Sequence, residues 1–151
     1  RVSLVGSEMC IRDRTTAATL VQENQVDSAF LQSFSDAWNN HDVEALMTFM
    51  TDDCVFHTVA GEGLFGTTIE GKEAVRDSFA AVFKNFPDAA WSDPVHFVCG
   101  DQAITESTFS ATNPDGSVTE ARMVDVFTLK YGKIQVKNAF RKTRPAQTPN
   151  K

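Results

Sequence analysis

At Pro87 the hydrophobic rhythm of this chain changes, and that change constrains the fold more than any other feature. Upstream, apolar residues recur at helical spacing: Val26, Phe30, Phe34 and Trp38, and later Val75, Phe79, Val82, Phe83 and Phe86. Such stripes predict amphipathic helices that bury one face. "NNHD" (39–42) breaks the first helix, and Asp42 is placed to cap a short second one carrying Val43, Leu46, Met47 and Met50. "DDCVFHTV" (52–59) predicts a short strand, and the glycine-bearing stretch 61–71 a loop long enough to act as a lid. Pro87 stops the third helix, because proline cannot donate a backbone hydrogen bond. Downstream the period falls to two and predicts strands at 90–99, 102–112, 117–130 and 133–142. Helices first and a strand meander after them predict an α+β fold, with the helices on one face of a curved sheet.

The last hairpin contains an anomaly. Around the Tyr131-Gly132 turn, Met123, Asp125, Phe127 and Leu129 share one face, with Ile134, Val136, Asn138 and Phe140 on the returning strand. That face is apolar except for one aspartate and one asparagine. With the turn as a two-residue loop, Phe127 opposes Val136, Asp125 opposes Asn138 and Met123 opposes Phe140. "NPDG" (113–116) makes a type I turn before it and brings Thr105 across from Asp125 and Ser107 across from Met123. By parity Arg122, Lys137 and Arg141 point outward, which leaves Asp125 without a cation on its face. A buried carboxylate without a partner costs several kcal/mol and tends to keep its proton. Asp125 is therefore either a structural aspartate bonded to Asn138 and Thr105 or the acid at the floor of a pocket.

Other function classes fit less well. A net charge of −6 and the lack of a Lys/Arg cluster argue against a nucleic-acid partner. No run reaches the length of a membrane-spanning helix. Cys10, Cys54 and Cys99 are sparse and show no CxxC, which predicts reduced thiols and a cytoplasmic setting. His41, His57 and His96 have no metal-ligand spacing, so no metal and no cofactor are expected; His57 falls by parity on the face away from Asp125. "RVSLVGSEMCIRDR" (1–14) reads as translated adapter sequence or a disordered tail, residues 15–25 as a flexible leader, and 143–151 as a disordered tail, leaving 26–142 as the domain.

"DAWNNHDVEALMTFMTDDCVFH" (36–57), "GKEAVRDSF" (71–79) and "MVDVFTLKYGKI" (123–134) resemble the SnoaL-like polyketide cyclase branch of the nuclear transport factor 2-like superfamily. The resemblance implies a cone-shaped, bent antiparallel sheet wrapped around three N-terminal helices and enclosing a pocket. It also implies a role for Asp125, since the cyclases use an aspartate there as acid/base for an aldol closure. Ketosteroid isomerase carries its oxyanion-donating aspartate at the same place, but its partners fall on Phe34 and Thr58, which lack the needed chemistry. In limonene-epoxide hydrolase the water-activating aspartate falls on Asn138, beside Phe56 and Thr58, and asparagine cannot take the proton.

Two functions follow as expectations. In the first, the chain is a cofactor-independent isomerase or cyclase with Asp125 as acid/base, Asn138, Thr105 and Thr58 as polar positioners, and walls from Phe34, Trp38, Phe56, Phe79, Phe83, Met123, Phe127 and Phe140. Such walls suit a small apolar or ring-containing, enolisable ligand. In the second, the chain is a non-catalytic accessory or dimerisation subunit of a larger oxidoreductase, similar to taurine dehydrogenase small subunits. Ile104, Val124 and Val126, on the outward strand face beside Thr108 and Thr128, support that reading and a homodimer through the sheet. An open pocket would favour the first, and a pocket filled by phenylalanine side chains the second.

Overall fold

A computed structural model describes residues 25–148, so the readings made for 1–24 and 149–151 lie outside the described residues. Helix α1 spans Ser28–Asn39, α2 Val43–Thr48 and α3 Lys72–Asn85. The strands are β1 Met50–His57, β2 Thr68–Glu70, β3 Ala90–Cys99, β4 Gln102–Thr112, β5 Val118–Lys130 and β6 Lys133–Arg141. They form one sheet in the order β2-β1-β6-β5-β4-β3. The sheet is mixed, because β1 runs parallel to β6 while the other neighbours pair antiparallel.

Local chemistry accounts for the helix ends. The Asp27 carboxylate accepts from Phe30 N and the Asp42 carboxylate from Ala45 N, each meeting an otherwise orphaned donor of the first turn. His41 holds the tight turn between α1 and α2 at φ 54°, its ring stacked on Phe83 and its Nε2–H donated to Ala89 O at 2.7 Å. The helical stripe and the inward strand positions meet in one core in which Leu31, Phe34, Phe79, Phe127 and Ile134 are buried.

Three expectations about the chain path change. The 61–71 segment contains β2, and the turn before it is tied by Thr58 N–Thr67 O and Gly66 N–Gly63 O bonds. That hairpin sits at the sheet edge, and none of its residues lines the cavity beside Asp125. Past β6, Gln147 exchanges two backbone bonds of 2.7 Å with Val118, so the tail is tied to the start of β5 at that residue. Cys54 is free and buried, whereas Cys99 is disulfide-bonded, which corrects the expectation of reduced thiols throughout. Among the described residues, no helix is long and apolar enough to cross a membrane.

Candidate functional site

The two turns set the registers up to a point. Lys130 opposes Lys133 and Leu129 opposes Ile134, and on the other side Thr105 faces Asp125 and Ser107 faces Met123, as the turn chemistry predicts. Then the β5–β6 ladder slips. Thr128 pairs with Val136 although Leu129 pairs with Ile134, so Gln135 is an extra residue on β6. Such a bulge reverses the faces of every residue beyond it. Gln135 Nε2 donates to Asp53 Oδ2 at 2.9 Å, anchoring the bulge to the neighbouring strand β1.

The reversal rebuilds the surroundings of Asp125. Its partner on β6 is Ala139, Phe127 faces Lys137 and Met123 faces Arg141, correcting the expected pairs with Asn138, Val136 and Phe140. Lys137 turns inward and is 3% exposed, while Phe140 turns outward and is 53% exposed. Asn138 also lies on the outward face, beside His57 of β1. The Lys137 ammonium donates to Asp125 Oδ1 at 2.6 Å in a buried ion pair. It also lies 5.3 Å from the Trp38 ring centroid and 5.0 Å from that of Phe56, within cation–π range.

A cavity of about 10 Å³, room for roughly one water molecule, opens beside this pair. Phe34, Trp38, Trp91 and Phe127 form its apolar wall, and Ser35, Thr105, Ser107 and Asp125 its polar one. Of the expected site residues, Asp125, Thr105, Phe34, Trp38 and Phe127 thus line it. Phe56 and Phe79 are buried behind Trp38, Phe83 packs on Trp38 and Trp91, and Met123 is buried in the core. Thr58 is consumed by the hairpin turn, where it donates to Ala60 O and accepts from Thr67 N. Asn138 and Phe140 are on the far side of the sheet.

Ser35, Trp91, Ser107 and Lys137 were not expected at the site. Ser107 carried the right parity signal, whereas Trp91 did not: the β3–β4 ladder shifts between Ser92 and Val95, so Trp91 shares the inward face with His96 although a parity count sets them apart. Ser35 adjoins Phe34 on the buried stripe of α1. Lys137 carried the wrong signal, because the bulge is invisible to a parity count.

Behind the polar wall, His96 Nδ1 lies 2.9 Å from Thr105 Oγ1 and its Nε2 3.1 Å from Gln32 Oε1. Burial pushes the His96 imidazole below its ordinary pKa, and Asp36 partly opposes the shift. Trp38 buries its indole N–H without an acceptor. Among the described residues, no group of three or more His, Cys, Asp or Glu is arranged to hold a metal ion.

The family profile described as a SnoaL-like domain matches residues 31–136, well over half of the chain. None of the curated proteins matches the sequence. Solved structures do. A candidate polyketide cyclase from Xanthomonas campestris is 15% identical, with 76% of this chain and 89% of that one covered at a TM-score of 0.67. A protein with a ketosteroid isomerase-like fold from Catenulispora acidiphila, solved in complex with trimethylamine, is 15% identical over 76% of this chain and 86% of its own, with a TM-score of 0.66. A nuclear transport factor 2-like protein from Anabaena variabilis is 16% identical over 78% and 87%, with a TM-score of 0.65. At these identities the structural likeness establishes the fold.

Proposed function

The chain belongs to the SnoaL-like domain family, and from that premise we propose that it binds a small, ring-containing ligand at the Asp125 cavity and moves a proton on it. The observation that carries the reading is the buried Asp125–Lys137 pair beside a void with convergent hydroxyls. A buried ion pair adds little stability over apolar residues of the same volume. Its placement against the cavity has a chemical use. Asp125 takes a proton from a carbon α to the ligand carbonyl and returns it to another carbon. Lys137 holds the carboxylate from behind, and the Ser35 and Ser107 hydroxyls, which line the cavity, donate toward the oxygen on which charge develops.

A ring does not fit a 10 Å³ void, so binding requires a wall to move. Trp91 is the candidate, since it is the one lining residue that is only half-buried. The test is conversion of 3-cyclohexenone to its conjugated isomer, followed by ultraviolet absorbance. Wild type should accelerate it, and Asp125→Asn should lose at least about a hundredfold of that acceleration. No acceleration by wild type, together with no change in its amide spectrum on adding the ketone, sinks the reading.

A specific observation also favours a protein contact. On the outward face Phe97 is 58%, Val95 48% and Ile104 37% exposed, and through the half-buried Val126 and Val124 of β5 they continue from β3 and β4 to Phe140 of β6. We propose that this face packs on a second copy of the chain. The accessory-subunit reading uses the same face and draws support from how nearly the aromatic side chains fill the cavity.

A further inference from the structure

We propose that His96, acting through the Thr105 hydroxyl, sets the hydrogen-bond polarity of the cavity wall and so selects a ligand group that donates, such as a hydroxyl, an enol or an ammonium. This rests on the reading of the cavity as a ligand site.

The chain of hydrogen bonds begins at the surface. The Gln32 side chain donates its Nε2–H to Asp36 Oδ1 at 2.9 Å. A carboxylate only accepts, so the orientation of the Gln32 amide is fixed, and its Oε1 faces His96 Nε2 at 3.1 Å. An amide oxygen also only accepts, so His96 Nε2 must carry a hydrogen. In neutral imidazole the other nitrogen is then bare. The bare Nδ1 is 2.9 Å from Thr105 Oγ1, so Thr105 is the donor in that bond. Its one hydroxyl hydrogen is committed away from the cavity. What Thr105 turns toward the cavity is lone pairs.

Asp125 agrees, while the Ser35 and Ser107 hydroxyls can turn either way. Lys137 gives a hydrogen to Asp125 Oδ1, and the carboxylate has acceptor capacity left over. Thr105 and Asp125 are cross-strand partners that both line the cavity, so two acceptors stand side by side. A carbonyl oxygen placed against these two meets lone pairs and must turn toward the Ser35 and Ser107 hydroxyls, whereas a hydroxyl or ammonium is held there.

Protonation reverses the wall. Imidazolium donates from both nitrogens, so Nδ1–H is given to Thr105 Oγ1 and the threonine hydrogen is released toward the cavity. The groups around His96 are few. Asp36 faces it from α1 through Gln32, β4 presents Thr105, and beyond Thr105 stands the Asp125–Lys137 pair. Burial favours the neutral ring, so at neutral pH the wall accepts.

The experiment uses the full chain, with long-range ¹H–¹⁵N NMR of the histidine rings across pH. The binding probes are phenol, which can donate, and benzaldehyde, which can only accept. A second protein, Gln32→Lys, changes an exposed side chain and places a donor opposite Nε2, forcing the hydrogen onto Nδ1. Neutral His96 should carry its hydrogen on Nε2 in wild type and on Nδ1 in Gln32→Lys. The preference for phenol over benzaldehyde should fall by roughly tenfold in Gln32→Lys, and likewise in wild type once His96 is protonated. An Nδ1–H ring in neutral wild type overturns the proposal, as does an equal preference in the two proteins. Should neither probe bind while the ring signals behave as stated, the ligand reading of the cavity falls and the assignment of the wall stands.

Discussion

Lys137 has side-chain exposure of 4%, and its ammonium lies 2.6 Å from a carboxylate, so the energetics of the site are those of a buried pair. Removing one partner strands the other charge in a medium that solvates it poorly. Lys137→Met and Asp125→Leu should each lower unfolding free energy by about 3–5 kcal/mol in urea titrations, while the double variant recovers most of the loss. Near-additive losses would show that the two charges are not coupled. His96 contributes a pH dependence with a definite sign. Its pKa is depressed in the folded chain, so the unfolded chain takes up that proton first as pH falls below about 6.5. The more protonated state gains, and stability declines with falling pH from there until the folded pKa is passed. In His96→Gln that part of the acid slope should be missing from a series of thermal melts between roughly pH 7 and 5.

At the scale of elements the decisive feature is one residue of excess in β6. Gln135 turns Lys137 and Ala139 toward the helices and Asn138 and Phe140 away from them. Deleting Gln135 would remove the bulge and leave the pairs Thr128–Val136, Phe127–Lys137 and Asp125–Ala139 in place. The deletion variant should therefore keep Lys137 facing the helices and still unfold cooperatively, as monitored by near-ultraviolet circular dichroism. Gln135→Ala, which keeps the bulge and removes only the bond to Asp53, should cost about 1 kcal/mol. The β1–β2 hairpin has its own constraint. Gly66 has φ +72°, and a Cβ there would come within 2.3 Å of Thr58 O. Gly66→Ala should destabilise the chain by more than about 1 kcal/mol in the same titration, because backbone at the hairpin cannot give way as a side chain can.

For the molecule as a whole, the sheet divides two environments. One face carries the aromatic core and the Asp125 cavity. The other exposes Val95, Phe97, Ile104 and Phe140 in a form that monomeric proteins seldom leave to water. If a second copy covers that face, sedimentation equilibrium should give twice the chain mass, and Phe97→Glu with Ile104→Glu should return it to one chain with its far-ultraviolet spectrum intact. A wild-type monomer at high concentration would sink the dimer. The binding of phenol by the monomeric variant would then tell whether the cavity works alone.

The switch of period at Pro87, the Asp42 cap and the two hairpin turns were legible in the sequence, because each depends on residues within a few positions of one another. So was the pairing of Asp125 with Thr105, which follows from the "NPDG" turn by counting. Counting failed beyond Thr128, where the shift depends on Asp53 of a strand some eighty positions away holding Gln135. That distant bond lies across the parallel β1–β6 contact, a pairing that local turn chemistry does not specify. The tertiary structure alone therefore decided which of Lys137 and Asn138 meets Asp125. Side-chain parity is a local property of a strand, and register against a strand from elsewhere in the chain is not.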